Sequence, residues 1–449
     1  MSVTDTIVAI ATAAGRGAIG IVRLSGPQAF AIAERIAGPL PAPREAALRA
    51  FRDADGEGID QGLVLCFAAP ATFTGEDVVE LQGHGGSVVL QSLVEAACRH
   101  GARVARPGEF SERAFLNDRI DLVQAEAIAD LIDAGTRDAA RAARRSLDGA
   151  LSQRVRTLAD ALLELRVHVE GALDFSDEDI DWLADRKLHA RVETLRTALQ
   201  QLLAEAGRGR RLRDGLVVAL AGRPNVGKST LLNRLAGADV AIVTDIAGTT
   251  RDVLREHLDL DGLPLTLIDT AGLRDTDDTV EREGVRRARA ALDRAELALF
   301  VSDAGANLST GDQALLQSLR GDLPRLIVHN KCDLHGLAAA REERDGHVHL
   351  HLSAATGDGI DRLVRELHRI AGLGERTQTT FSARTRHVDA LRRTLGFVAD
   401  AEQRLREGAN AELAAEELRL AHDALGEITG RVTSEDLLGA VFSRFCIGK

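Results

Sequence analysis

Apolar positions along this chain change their spacing three times, and each change marks a different kind of element. Short β-like runs stand at Thr6–Ala11, Ile19–Ser25, Leu63–Phe67 and Asp77–Leu81. The turn-forming stretches Gly38-Pro-Leu-Pro-Ala-Pro43 and Asp53-Ala-Asp-Gly-Glu-Gly58 separate them, so the chain reads as α+β to about Phe115. From Ile120 the period lengthens to that of a helix. Leu147, Leu151, Val155, Leu158, Leu162, Leu165 and Val169 recur every three or four residues and predict one long amphipathic helix. Helical patterning runs on to Ala206, and Gly207-Arg-Gly-Arg-Arg-Leu-Arg213 reads as a basic, glycine-punctuated linker. Apolar runs of strand length then return at Leu216–Ala221, in Leu265-Thr-Leu-Ile-Asp269, at Leu326-Ile-Val-His329 and at His347–Leu352. After about Gly374 the helical period resumes, with Val388, Leu391, Leu395 and Val398 on one face. Thr433-Ser-Glu-Asp436 reads as a capping box opening a last helix. The pattern predicts a multidomain chain: an α+β N-terminal domain over 1–117, an all-α domain in two halves over 118–210 and 374–449, and an α/β domain inserted between them over 211–373.

The strand Leu216–Ala221 leads directly into Gly222-Arg-Pro-Asn-Val-Gly227-Lys228-Ser229, a complete phosphate-binding loop. Its glycines allow successive N–H groups to converge on phosphates, and Lys228 reaches the β and γ oxygens. Ser229 ligates Mg²⁺, and the helix opening at Ser229-Thr230 adds its positive end. Asn225, Val226, Gly227, Lys228, Ser229 and Thr230 are the candidate contacts. Asn330-Lys331-Cys332-Asp333 reads the base: a carboxylate accepts from guanine N1–H and N2–H₂, a donor pair that adenine lacks, and Lys331 lays its stem along the base plane. Ser353-Ala354-Ala355 follows a β-like run and suits a backbone contact with guanine O6. Between these, Asp269-Thr270-Ala271-Gly272 ends a strand, with Asp269 holding Mg²⁺ through water and Gly272 facing the γ-phosphate. The order of these motifs resembles the translation-factor class of P-loop GTPases, in which catalysis is positioning plus charge stabilisation.

Leu273 follows Gly272 where Ras-type enzymes carry a water-orienting Gln. Two features offer compensation. Glu281, in the polar stretch that begins at Arg274, could place a carboxylate near the attacking water. Thr244-Asp245-Ile246-Ala247-Gly248-Thr249-Thr250 offers Thr250 as a second Mg²⁺ ligand and carbonyls that, with Asn225, could wrap K⁺ beside the phosphates. The alternative is that Asn225 and Thr244 are turn residues only.

The net charge of −12 argues against broad coating of nucleic acid, so any RNA contact is local. Cys66, Cys98, Cys332 and Cys446 have no paired spacing, which indicates neither disulfides nor zinc and fits a reducing, cytoplasmic setting. No apolar run approaches membrane-spanning length, and no signal peptide stands at the start. Asp174–Asp181 reads as a solvated helix end rather than a metal cluster. Arg137, Arg141, Arg144 and Arg145 read as an exposed helix face rather than an RNA contact. Cys446, beside Lys449, is a candidate nucleophile.

Several longer motifs point to one family. They are Gly15-Arg-Gly17, Thr74-Gly-Glu-Asp-Val-Val-Glu80-Leu-Gln-Gly-His-Gly-Gly86, Arg106-Pro-Gly-Glu-Phe-Ser-Glu-Arg-Ala-Phe-Leu-Asn117, Asp245–Asp252 and the Cys-x-Gly-Lys terminus at Cys446–Lys449. Together they resemble the MnmE (TrmE) family of tRNA-modifying GTPases along the whole chain. The resemblance implies an N-terminal domain similar to tetrahydrofolate-binding folds that also forms a homodimer. It places a folate one-carbon donor (5-formyl- or 5,10-methylene-tetrahydrofolate) near Arg23, Glu80, Arg119 and Lys449, Arg119 standing where the family often has lysine. It further implies K⁺ at Asn225, Thr244, Ile246 and Thr249, Mg²⁺ at Ser229 and Thr250, and Glu281 orienting water. The implied partner is the flavoprotein MnmG, which uses FAD and NADH, in a heterotetramer acting on tRNA. The pair would add an aminomethyl or carboxymethylaminomethyl group to C5 of the wobble uridine, with Cys446 a candidate thiol in that chemistry. A ribosome-assembly GTPase that binds rRNA is the competing expectation, since such proteins share the GTPase motifs and the apolar residue after Asp-x-x-Gly.

Overall fold

The computed structural model describes residues 5–174, 186–237, 255–269, 295–305, 309–318, 321, 323–373, 381–407, 411–432, 435–443, 445 and 448. Its contacts gather into two units, Met1–Ala129 with His422–Lys449, and Asp130–Ala421.

The first unit is built on a six-stranded sheet. Its strands are β1 (Ile7–Ile10), β2 (Gly17–Ser25), β3 (Ala46–Arg52), β4 (Gly58–Phe67), β5 (Val78–Gly85) and β6 (Arg103–Val104), in the order β3-β4-β5-β2-β1-β6. Period-two alternation sends Val22, Leu24, Val64, Cys66, Val79 and Leu81 into one buried cluster. Helices α1 (Ala29–Ala37) and α2 (Ser87–Arg99) supply Ile32, Ile36, Leu90 and Leu93 to it. Each such side chain contributes about 1.5–3 kcal/mol by leaving water. The strand β3 is absent from the sequence expectation. Its apolar residues do not follow its burial, with Leu48 exposed and Arg49 half-buried, so this edge strand shows no alternating apolar pattern. The turn Asp53–Gly58 that joins it to β4 is the expected one: the Asp53 carboxylate accepts from the Asp55 and Glu57 amides at 2.9 and 2.8 Å.

Much of the long N-terminal motifs is structural. In α3 (Glu109–Leu116), the fully buried Arg113 donates to Glu76 at 3.1 Å, to Asp5 at 2.8 Å and to Glu109 at 3.2 Å. Burial alone would push the Glu109 carboxyl up, but bonds from Arg103, the Arg106 amide and Arg113 hold it below the ordinary range. The chain's last helix packs in this same unit. Phe442 lies 6.3 Å from Phe115 and 5.5 Å from Phe445, centroid to centroid, and joins Val441 and Leu122, the first residue of α4 (Leu122–Ile132), in a small core.

In the second unit the helical expectation needs two corrections. The long helix is two helices, α5 (Arg137–Leu147) and α6 (Ala150–Asp174), because Gly149 adopts a left-handed φ of 91° between them. The apolar stripe from Leu151 to Val169 is buried as expected. Residues 207–213 are not a linker, since α7 runs unbroken from Arg186 to Asp214. Gly209 is there for close packing, not flexibility: a Cβ would stand 2.5 Å from the Phe381 carbonyl oxygen. The basic residues are engaged, Arg211 with Glu296 at 2.9 Å and Arg213 with Asp130 at 2.7 Å. The Arg137 to Arg145 series is a helix face: Arg137, Arg141 and Arg144 are exposed, with Arg141 and Arg144 paired to Asp138 and Asp148. The expected helix after Gly374 spans Thr385–Glu407 and buries Val388, Leu391 and Val398.

The remaining strands form a seven-stranded sheet. They are β7 (Leu216–Ala221), β8 (Arg255–Leu260), β9 (Leu263–Asp269), β10 (Leu297–Asp303), β11 (Arg325–Asn330), β12 (Ala340–Arg344) and β13 (His347–His351), in the order β12-β13-β11-β10-β7-β9-β8. The five inner strands are parallel, and β8 and β12 run antiparallel at the edges. β8, β10 and β12 are absent from the sequence expectation: β12 is exposed throughout, whereas β10 is a buried apolar run too short for its period to set it apart from a helix segment. The chain leaves β7 to build β9 on one side and β10 on the other. That makes the carboxyl end of β7 the switch point where ligands bind in such sheets.

Candidate GTP site and a second polar site

The phosphate loop occupies that switch point. Two of its glycines are required by space as well as by φ. At Gly222 (φ 147°) a Cβ would meet the Val301 carbonyl oxygen at 2.3 Å, and at Gly227 (φ 95°) it would meet the Asn330 amide nitrogen at 2.3 Å. Asn225 is left-handed with φ 64°, a conformation Asn tolerates better than most residues. The helix α8 (Lys228–Gly237) opens straight from the loop. Lys228 is buried, and its ammonium donates to the Gly222 and Arg223 carbonyls at 2.7 and 2.9 Å, so the cation stands inside the loop. Asn225, Ser229 and Thr230 are exposed around it, and Val226 is buried behind.

Asn330, at the end of β11, joins the parts of the site. Its side-chain amide donates to the Val226 carbonyl at 2.9 Å and accepts from the Ala354 N–H at 2.9 Å. The residue is buried, so both bonds form away from competing water. Lys331 holds a left-handed φ of 68°, a strained state for a residue with a long side chain. Its ammonium donates to Asp303 at 3.0 Å, and His335 meets the same carboxylate at 2.8 Å. Burial pushes Asp303 up, but the Gly305 amide, Lys331 and His335 outweigh it and bring its pKa down to about 2. Asp303 and His335 were missed in the sequence. The signal available was an acidic residue ending a strand beside the phosphate-loop strand. Cys332 is buried, with its N–H donating to the Leu352 carbonyl at 3.2 Å, so its thiol lies in the core. Asp333 is exposed. Ser353 and Ala354 are buried and Ala355 is exposed.

Behind Asn330 lies an imidazole cluster that the sequence reading did not single out, although three histidines alternate along β13. His329 contacts Ser302 at 3.1 Å and His349 at 3.0 Å, and its ring stacks on His351 with centroids 4.6 Å apart. Burial, with His351 and His349 nearby, lowers the His329 pKa to about 4 and keeps the ring neutral.

Asp269 ends β9, next to β7 in the sheet. Thr244, Asp245, Ile246, Ala247, Gly248, Thr249, Thr250, Thr270, Ala271, Gly272, Leu273 and Glu281 lie outside the described residues, as do Cys446 and Lys449.

In the first unit, antiparallel register places Arg23 of β2 opposite Glu80 of β5, and the pair closes at 2.9 Å. Gln82, two residues along the same strand, donates to Glu80 at 3.3 Å, and Phe110 lies 5.9 Å from the Arg23 guanidinium carbon. Arg119 is exposed near Gly75, whose added Cβ would stand 3.3 Å from the Arg119 Cγ. Gly448 abuts β1: a Cβ there would stand 2.1 Å from the Ile10 carbonyl oxygen, and Ile10 pairs with Val22, next to Arg23. Arg23, Glu80 and Gln82 thus share one face of the sheet, and the buried Phe110 of α3 lies against the Arg23 guanidinium.

The parallel sheet, the loop at its switch point and the Asn-Lys-x-Asp segment braced against that loop define a P-loop GTPase. A family model described as the MnmE helical domain matches residues 122–446, and one described as the N-terminus of the GTP-binding protein TrmE matches residues 6–119. The chain belongs to this family, MnmE, also called TrmE. A tRNA modification GTPase MnmE of Stutzerimonas stutzeri is 53% identical to it over 450 residues, covering 99% of both chains. A protein of the same description from Neisseria meningitidis serogroup C is 52% identical over 444 residues, with 99% of each chain covered. Among solved structures, Aquifex aeolicus Era bound to GDP·AlF4− is 26% identical over 40% of this chain and 66% of its own, with a TM-score of 0.27.

Proposed function

We propose that this GTPase drives the modification of tRNA at C5 of the wobble uridine. With the flavoprotein MnmG it adds an aminomethyl or carboxymethylaminomethyl group, and FAD and NADH act in that partner. The observation that carries the reading is one chain holding both a phosphate loop braced by the Asn-Lys-x-Asp segment and a polar face at Arg23 and Glu80, with Gly448 of the tail against the neighbouring strand. The inserted GTPase (211–373) divides the helical domain (118–210 and 374–449), and the N-terminal domain (1–117) carries the folate-type face and forms the homodimer. The setting is cytoplasmic. Among the described residues no helix is long and apolar enough to cross a membrane.

In the GTPase, Ser229 and Thr250 would hold Mg²⁺, whose charge offsets that building on the phosphates. Asn225, Thr244, Ile246 and Thr249 would hold K⁺, which supplies the positive charge an arginine finger gives elsewhere. The exposed Asn225, held left-handed within the phosphate loop, supports this assignment. Glu281 orients the attacking water. In the N-terminal domain Arg23, Glu80, Arg119 and Lys449 would bind the tetrahydrofolate derivative, and Cys446 stands as the candidate thiol.

Three measurements test the reading. GTP turnover should be several-fold faster in K⁺ than in Na⁺, and equal rates remove the cation site. Glu281→Ala should keep GTP affinity and lose turnover by roughly 10²-fold or more, the scale of one lost catalytic group. Transfer RNA from a strain lacking the gene should be missing the modified wobble uridine; an unchanged nucleoside profile rejects the proposed reaction.

A further inference from the structure

Arg234 lies on the exposed side of α8. Its guanidinium nevertheless reaches the turn after β13 and donates to two successive carbonyls: Nε to that of Ala354 at 3.1 Å, and Nη2 to that of Ala355. The remaining groups of this turn can be followed one by one. The Ser353 N–H donates to the Asp358 carbonyl and the Ala354 N–H to Asn330. The Thr356 N–H meets the Ser353 hydroxyl, the Gly357 N–H meets the Ser353 carbonyl, and the Asp358 N–H meets the Thr356 hydroxyl. From Ser353 to Asp358 only the Ala355 N–H has no partner among the described residues. Ala355 is also exposed, so a ligand can reach that N–H.

The peptide bond fixes where this donor points. In a trans peptide the C=O and the following N–H leave opposite edges of one plane. With the Ala354 carbonyl turned toward Arg234, the Ala355 N–H is turned away from it. The second bond, at the Ala355 carbonyl, restrains the next plane as well. Without the guanidinium neither polar group of the Ala354–Ala355 peptide would have a partner among the described residues, and the nearest anchor would be the Ala354 N–H of the preceding peptide, held by Asn330.

We propose that Arg234 is a positioning residue for guanine selection, holding the Ala355 N–H as the donor to the 6-oxygen of the base. This rests on the reading that Ser353–Ala355 meets that oxygen. Asp333 recognises the other edge of the base, so the two contacts can be separated by choice of nucleotide. IDP keeps the 6-oxygen and lacks the 2-amino group. The 6-thio analogue of GDP keeps both donors and replaces the oxygen by sulfur, a weak acceptor.

The experiment is a competition titration of the full chain with GDP, IDP and 6-thio-GDP, for the native protein, Arg234→Ala and Arg234→Lys. Position 234 is exposed and helical and alanine favours helix, so Arg234→Ala should remain folded. In it the preference for GDP over 6-thio-GDP should fall about three- to tenfold, the scale of one hydrogen bond, while the preference for GDP over IDP stays constant. Arg234→Lys, a point charge without the planar fork, should fall between. Equal weakening of all three nucleotides in Arg234→Ala, or no change in either preference, overturns the proposal. A native protein that binds GDP and 6-thio-GDP alike overturns the underlying contact with the 6-oxygen, and the proposal with it.

Discussion

Asn330 and Asp333 stand three positions apart and answer to different forces. Asn330 is buried and bridges the Val226 carbonyl to the Ala354 N–H, so it holds the phosphate loop to the turn after β13. Asn330→Ala leaves a buried acceptor and a buried donor unpaired, each costing about 1–3 kcal/mol. Denaturant unfolding should show the GTPase destabilised by that order, with GDP affinity falling as well. Asp333 is exposed and has no such task. Asp333→Ala should leave the unfolding midpoint unchanged and lose the preference for GDP over IDP, which a titration reads directly. A large loss of stability in Asp333→Ala would mean that its carboxylate is structural. Both residues were legible from the motif. That Lys331 would be tied to Asp303 was not, because Asp303 is remote in sequence and adjacent only through the parallel pairing of β10 with β11.

Where the chain enters and leaves the seven-stranded sheet, the crossing segments are tied together by buried polar groups. Arg213 sits at the end of α7 just before β7, and Arg384 stands on the returning segment after the GTPase. Both bind the Asp130 carboxylate, Arg213 at 2.7 Å and Arg384 at 2.6 Å. The Ser382 N–H donates to the Ser146 hydroxyl at 3.0 Å, and Ser146 in turn donates to the Ser382 carbonyl at 3.0 Å. One buried carboxylate therefore clamps both crossings. Asp130→Ala leaves two guanidinium groups without it, and the cost should be about 3 kcal/mol in chemical denaturation. Asp130→Asn, which keeps a hydrogen-bond acceptor, should cost less; equal losses would point to packing and not charge. Gly207–Arg213 misled as a linker because glycine and arginine are also what a helix needs where another chain crosses close by and carboxylates lie opposite. Composition does not separate the two cases, whereas the crossing of Phe381 over Gly209 does.

At the scale of the whole molecule, acid should act on both units through two kinds of group. Asp5 and Glu109 in the first unit, and Asp303 and Glu366 in the second, have carboxyls held below their ordinary range: burial raises each, and the surrounding arginine, lysine, histidine or amide donors outweigh it. Their stabilisation is fully present above the unfolded carboxylate range near pH 4, and it is lost as pH falls through the folded values, which for Asp303 is about 2. His329 titrates the other way in charge: neutral when folded, it gains its proton on unfolding. Its contribution falls between pH 6.5 and about 4, by an amount on the order of 3 kcal/mol. Stability of the GTPase unit should therefore start to drop near pH 6.5, well before the carboxylates respond, and His329→Gln should flatten that first decline in urea titrations. An identical decline in the variant would assign the effect elsewhere. The sequence by itself determined the phosphate loop, the Asn-Lys-x-Asp segment at the end of β11 and the stripe from Leu151 to Val169, since each depends on residues close in the chain or repeated at a fixed period. Tertiary structure alone decided that Arg113 would be consumed by Asp5, Glu76 and Glu109, that the last helix would pack beside Phe115, and that Arg234 would grip the turn at Ala354 and Ala355. Those outcomes depend on which side chains meet across long loops. Local spacing carries no record of that, because hydrogen bonds and buried charge pairs are satisfied by whatever the fold brings within reach.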